Sequence, residues 1–277
     1  MKALQIGDLK IKLPIIQGGM GIGISMSKLA SAVANEGGIG VIAAVGIGMF
    51  EKDSAKNFLE ANMRALKREI ATAREKTNGI IGVNIMVALT NFSDLVKTAI
   101  AEKADIIFSG AGLPLNLPQY LTKGAKTKLV PIVSSGRAAG ILCKKWKELY
   151  NYLPDAFVVE GPKAGGHLGF KRNQIDNPDF ELQKLVPDVV THVKPFEEQF
   201  NVSIPVIAAG GIYTGADIKE IMDLGASGVQ MGTRFVTTNE CDASEKFKQS
   251  YIDSTEGDME IIQSPVGMPG RAIRNEF

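Results

Sequence analysis

Residues 164–169, Ala164-Gly165-Gly166-His167-Leu168-Gly169, set a titratable ring beside main chain that a ligand can approach closely. Glycine carries no Cβ, so Gly165 and Gly166 admit a flat or phosphorylated molecule against the backbone. An imidazole works near neutral pH as a general base or as a charged anchor. The chain has only two histidines, so His167 stands out from background composition. The other, His192, lies in T-H-V-K-P-F-E-E, a helical surface pattern. An apolar run at 156–159 precedes the His167 turn and reads as a buried strand.

Glycine and small polar residues recur after other apolar runs. Residues 17–23 read Gln17-Gly18-Gly19-Met20-Gly21-Ile22-Gly23, Asn84 falls late in a strand-like run, and Glu160 ends the run before His167. The pairs Gly210-Gly211 and Gly232-Thr233 end two further runs and suit a phosphate held on backbone N–H groups. Thr233 adds a hydroxyl and Arg234 a nearby positive charge. Met20 and Met231 adjoin these glycines, as core filler or as an apolar pocket lining. No Walker A sequence, G-x-G-x-x-G fingerprint or G-x-S-x-G elbow occurs. Nothing is spaced to complete a metal site with His167.

The elements that must position these residues alternate in type. Strands are expected at 15–17, 40–44, 81–86, 105–109, 129–134, 156–160, 206–209 and 228–231. Helices are expected at 26–36, 54–76, 92–103, 117–123, 137–149, 182–200, 216–224 and 243–254. Strands separated by helices form a parallel sheet, and this number of units is that of a (β/α)8 TIM barrel. A doubly wound open sheet is the α/β alternative. In a barrel the site lies at the carboxyl ends of the strands, where the residues above fall. The expectation is one domain over 1–277, with an excursion at 170–203. A lid-like tail at 255–277, without helical period, would lie as a loop across some other part.

Composition narrows the function. A net charge of +1 offers no field for nucleic acid or an anionic membrane. Cys143 and Cys241 are far apart, which suits a reduced cytoplasmic protein. The start of the chain carries charges where a signal peptide needs an apolar core. The longest uncharged apolar run, 37–50, is too short for a bilayer span and reads as a strand with turns.

Five segments in order carry a family resemblance: P-I-I-Q-G-G-M, G-V-N-I-M, E-G-P-K-A-G-G-H-L-G, P-V-I-A-A-G-G-I and G-V-Q-M-G-T-R-F. Together they resemble the nitronate monooxygenases, also called 2-nitropropane dioxygenases, and the related flavin-dependent enoyl-acyl-carrier-protein reductases. The resemblance spans 13–275. It implies a TIM barrel binding FMN noncovalently, with backbone contacts from Gln17, Gly18, Gly19 and Met20 and further contacts from Asn84, Glu160, Gly165, Gly166, Gly210, Gly211, Gln230, Met231, Gly232 and Thr233. His167 would be the catalytic residue, acting on a small-molecule substrate. Oxidation of alkyl nitronates with O2 is the expected activity, with enoyl-thioester reduction or NAD(P)H-dependent quinone reduction as alternatives. A barrel of the inosine-monophosphate dehydrogenase type would need a cysteine after the sixth strand, and none is there. A flavin-binding module without turnover is the non-enzyme alternative. A homodimer is compatible with the fold, since many barrels bury helices against a partner.

Two features pull in opposite directions. Many monooxygenases of this family carry glutamine where Glu160 stands, and the reductases more often glutamate. The P-V-G-M-P-G-R-A segment of the tail looks more like the monooxygenase side, and the chain stops where the reductases continue into a helical segment.

Overall fold

The computed structural model describes residues 3–264 and 267–275. Eight parallel strands close into a barrel: β3 (Ile15–Gln17), β4 (Ile39–Ala43), β5 (Ile80–Met86), β6 (Ile106–Gly110), β7 (Lys128–Val133), β8 (Phe157–Glu160), β10 (Val206–Ala209) and β11 (Gly228–Met231). Closure runs from β11 to β3, with Val229 opposite Ile15 and Met231 opposite Gln17. That pairing removes the open-sheet alternative. β4 is buried at every position, as a strand covered on both faces must be.

Most crossovers are helical: α1 (Ser27–Asn35), α2 (Phe58–Lys76), α3 (Phe92–Ala101), α4 (Gly136–Tyr150), α5 (Leu182–Phe200) and α6 (Gly215–Asp223). α7 (Thr233–Val236) and α8 (Glu245–Asp253) follow the last barrel strand. The helix expected at 117–123 is a 3-10 turn, Leu117–Tyr120, and no more. Pro118 suits a first turn, and Gly124 with the polar residues around it gives no apolar face to continue one. α5 keeps Pro187 and Pro195 in its interior. Its buried stripe of Leu185, Val186, Val189 and Val193 outweighs the backbone bonds those prolines cost.

Three apolar cores result, the smallest around Ile24, Leu29, Val236 and Cys241. One fills the barrel with Ile16, Val41, Phe108, Val130, Val158 and Ile207, among others. Another lies between strands and helices, around Leu66, Ile70, Trp146 and Val189. An N-terminal hairpin not expected from the sequence, β1 (Leu4–Ile6) with β2 (Leu9–Ile11), closes the amino end of the barrel. Leu4, Ile6 and Ile11 are buried in the inner core, each contributing on the order of 2 kcal/mol.

The tail departs from expectation more sharply. Instead of a loop it forms β12 (Met259–Gln263) and β13 (Pro269–Ile273), and β13 pairs antiparallel with β9 (Gly166–His167). The tail lies across the His167 segment, but as a strand. Its partner is about a hundred residues away, so no local period could announce it. Pro265 and Val266 of the P-V-G-M-P-G-R-A segment lie outside the described residues. So do Met1, Lys2, Glu276 and Phe277. The 170–203 excursion consists of two 3-10 turns, Arg172–Gln174 and Pro178–Phe180, leading into α5.

α1 starts without a side-chain cap of its own. Asp242 supplies one from across the chain: its Oδ2 accepts from Met26 N at 2.9 Å and Leu29 N at 3.1 Å. Cys241 Sγ donates to Ile24 O at 3.3 Å beside it. Loss of such a cap costs about 1–2 kcal/mol. Asp242→Ala is therefore expected to lower Tm by roughly 3–6 °C, with Asp242→Asn closer to the parent, by calorimetry.

Candidate active site

The carboxyl ends of the barrel strands bring the expected residues onto one rim. β5 delivers Asn84, β8 delivers Glu160 and β11 delivers Gln230, each partly open to the mouth. None of these three side chains has a hydrogen-bond partner among the described residues, while their backbones are held in the barrel ladders. Unpaired within the protein and partly open at the mouth, the three offer hydrogen-bonding groups to a polar ligand.

The glycine segments pack against these residues. A Cβ on Gly19 would overlap Asn84 Cβ, and one on Gly18 would lie 3.1 Å from Gln230 Cγ. One on Gly232 would meet Met20 Sδ at 3.3 Å. Gly18 N donates to Met231 O at 2.9 Å, tying the first and last barrel loops together. Gly210 takes φ +96 and lies under Gly161 and Ala164, so a Cβ there would sit 2.9 Å from Ala164 N. The stem of Lys163 lies across Gly211, 3.0 Å from where its Cβ would be. By contrast, Cβ atoms built on Gly165 and Gly166 meet nothing within 4 Å. The main chain there faces open space.

Several groups on these segments are already committed within the protein. Gln17 is fully buried. Its amide bridges to β4, donating to Val41 O at 3.2 Å and accepting from Val41 N at 3.0 Å. The Gln17 side chain thus holds the barrel together, and only its loop reaches the rim. Met20 N donates to Ser25 Oγ at 2.8 Å. Met231 is 7% exposed and belongs to the outer core. Thr233 is exposed at the start of α7. Arg234 is turned outward, with its guanidinium 4.7 Å over the Tyr213 ring.

His167 is half-buried beside the mouth, on the loop after β8. Its backbone pairs with Gly270, and its ring has no hydrogen-bond partner among the described residues. His192 is exposed on α5 and reaches Asp188, as a surface helical residue should. Burial alone pushes the Glu160 carboxyl up to about 7. Both cysteines are buried, and burial lifts the Cys143 thiol to about 12, so no nucleophilic thiol serves this site. No group of metal-ligating side chains occurs among the described residues. Nor is any described helix long and apolar enough to cross a membrane.

Two charged residues beside the His167 turn carry no motif of their own in the sequence. Lys163 stands between Glu160 and His167, and that place is its one signal. Arg271 lies in the tail, yet β13 sets it opposite Gly166, and its Nη2 donates to Pro162 O at 3.1 Å. No spacing in the sequence links position 271 to 166.

A closed parallel barrel whose rim gathers unpaired polar side chains and one histidine has the architecture of a TIM-barrel enzyme. The nitronate monooxygenase family profile matches residues 2–277, and the chain belongs to that family of oxidoreductases. A probable nitronate monooxygenase of Staphylococcus aureus is 32% identical over 305 residues, covering 97% of this chain and 77% of that protein. A probable nitronate monooxygenase of Staphylococcus haemolyticus is 29% identical over 98% of this chain and 77% of its own length. Among solved structures, FabK from Thermotoga maritima is 32% identical with a TM-score of 0.74, covering 96% of this chain and 72% of that one. A nitroalkane oxidase from Streptomyces ansochromogenes, 22% identical, has the same fold at a TM-score of 0.75, over 96% of this chain and 78% of its own.

Proposed function

We propose that this chain is an FMN-dependent nitronate monooxygenase that oxidises alkyl nitronates, and neutral nitroalkanes more slowly, with O2. The observation carrying this reading is the set of unpaired side chains, Asn84, Glu160 and Gln230, beside main chain left open at Gly165 and Gly166. A flat heterocycle with polar edges fits such a rim. Its anionic tail would lie by Gly211, Gly232 and Thr233, with Lys163 across the first of these. FMN, when bound, supplies the electron transfer and the reaction with oxygen.

The chain's own residues do the rest. His167 removes the α-carbon proton of a neutral nitroalkane, taking it on the imidazole. With a nitronate already ionised, the imidazolium holds the anion electrostatically. The C-terminal hairpin fixes the His167 segment in place, because β13 pairs with β9 through backbone bonds.

A second reading is enoyl-thioester reduction, favoured by the carboxyl at Glu160. One experiment separates the two. Purified protein is reconstituted with FMN, then assayed for oxygen uptake with propionate 3-nitronate and for NADH or NADPH oxidation with crotonyl thioester. Nitronate-dependent uptake without nicotinamide is expected. Nicotinamide oxidation that requires the enoyl thioester would replace this reading with the second.

A further inference from the structure

Ser134 is the first residue beyond β7, half-buried, and its hydroxyl has no hydrogen-bond partner among the described residues. Its neighbour Ser135 is committed: it caps α4, accepting from Ala138 N at 3.3 Å. No such duty holds Ser134.

The barrel register places this hydroxyl. Along β7, Val130 and Ile132 face the core inside the barrel, while Leu129 and Val133 face the outer one. Along β8, Val158 faces inward and Val159 outward, so Glu160 turns in at the mouth. The two strands pair Ile132 with Val158 and Val133 with Val159. One step further, the same register sets Ser134 beside Glu160 on the inner side of the rim. A contact beyond the strands agrees. A Cβ on Gly169 would lie 2.5 Å from Ser134 Oγ, so the hydroxyl fills the side-chain space of the residue two places past His167. Ser134 thus adjoins both the strand end that carries Glu160 and the turn that carries the imidazole.

The hydroxyl is spent on neither neighbour, for Glu160 too lacks a hydrogen-bond partner among the described residues. It has one O–H to donate. Negative charge is what such a donor would meet here. When the α C–H bond of a nitroalkane breaks, its proton passes to the imidazole of His167. The electron pair of that bond moves onto the nitro group, whose oxygens take the charge. A donor already in place at those oxygens stabilises the change without having to reorganise.

We propose that Ser134 is a further catalytic residue, whose hydroxyl donates a hydrogen bond to a nitro oxygen of the substrate while His167 takes the proton from carbon. The identity of the substrate rests on the nitronate reading, while the donor's place stands on the barrel register.

The test assays FMN-loaded protein by oxygen uptake with nitroethane and with ethyl nitronate, one substrate before and after proton loss. In the neutral compound the charge appears only as the reaction proceeds. Ser134→Ala should therefore lower its kcat by about 10-fold or more and leave KM within about 2-fold. In the nitronate the oxygens are charged from the start. The same change should raise its KM by about 10-fold and leave kcat within about 2-fold. Ser134→Thr, which keeps a hydroxyl, should restore most of both losses. Bound flavin should stay at the parent level in each variant. Losses in the same parameter with both substrates, no loss with either, or release of FMN from Ser134→Ala would overturn the assignment. If the parent consumes no oxygen with either compound, the nitronate reading fails. Titration of the visible flavin band with nitrate, a planar oxyanion that is not turned over, then decides Ser134. Binding weakened about 10-fold by Ser134→Ala sustains the donor, and equal or absent binding removes it.

Discussion

His167→Asn lowers turnover of a neutral nitroalkane by about 10²-fold or more, while the protein keeps its bound flavin. Asparagine preserves a polar side chain of similar reach but takes up no proton. β9 meets β13 through backbone bonds, so the hairpin should stay in register in the variant. A preformed nitronate needs no proton removed from carbon. Its turnover should therefore fall much less, by about 10-fold, reflecting only the lost electrostatic anchor. The difference between the two substrates is the diagnostic quantity, read with an oxygen electrode on protein of matched flavin content. Equal and small effects on both would take His167 out of the reaction and leave Glu160 as the base to examine.

The barrel was legible because each of its strands is short, apolar and bounded by glycine or a small polar residue. β3, β10 and β11 fall on the expected residues, as does α5 despite its two prolines. The rim was legible for a related reason: a parallel barrel puts its chemistry at strand ends, so finding the strands located Asn84, Glu160 and Gln230. What the sequence hid depends on distant partners. The β1–β2 hairpin shows little more than Leu4, Ile6, Leu9 and Ile11 among charged residues, and gains its meaning from the barrel end it plugs. β13 exists because β9 and β12 flank it, and Arg271 comes to lie opposite Gly166 only through that pairing. Gln17 shows the converse limit. The resemblance implies a contact from its backbone only, and nothing in the sequence announces that its amide is spent on Val41.

The second large effect concerns pH. Burial is the one cause that raises the Glu160 carboxyl to about 7, and no charged side chain shifts it further. Below that pH the group is a neutral acid, which donates and accepts a hydrogen bond much as glutamine does. Above it the group is an anion, which opposes any negative charge developing on the ligand beside it. Nitronate turnover should accordingly be greatest on the acid side and fall as pH rises through 7. With a single titration at that pKa, the neutral fraction drops about 10-fold between roughly pH 6 and 8. Glu160→Gln presents the neutral hydrogen-bonding pattern at every pH, so its rate should vary by less than about 2-fold over the same interval. It should also match or exceed the parent at pH 8. A pH–rate profile for both proteins, with the nitronate kept fully ionised, measures this directly. A parent profile flat through 7, or a variant that keeps the fall, would show that Glu160 does not face the reacting ligand.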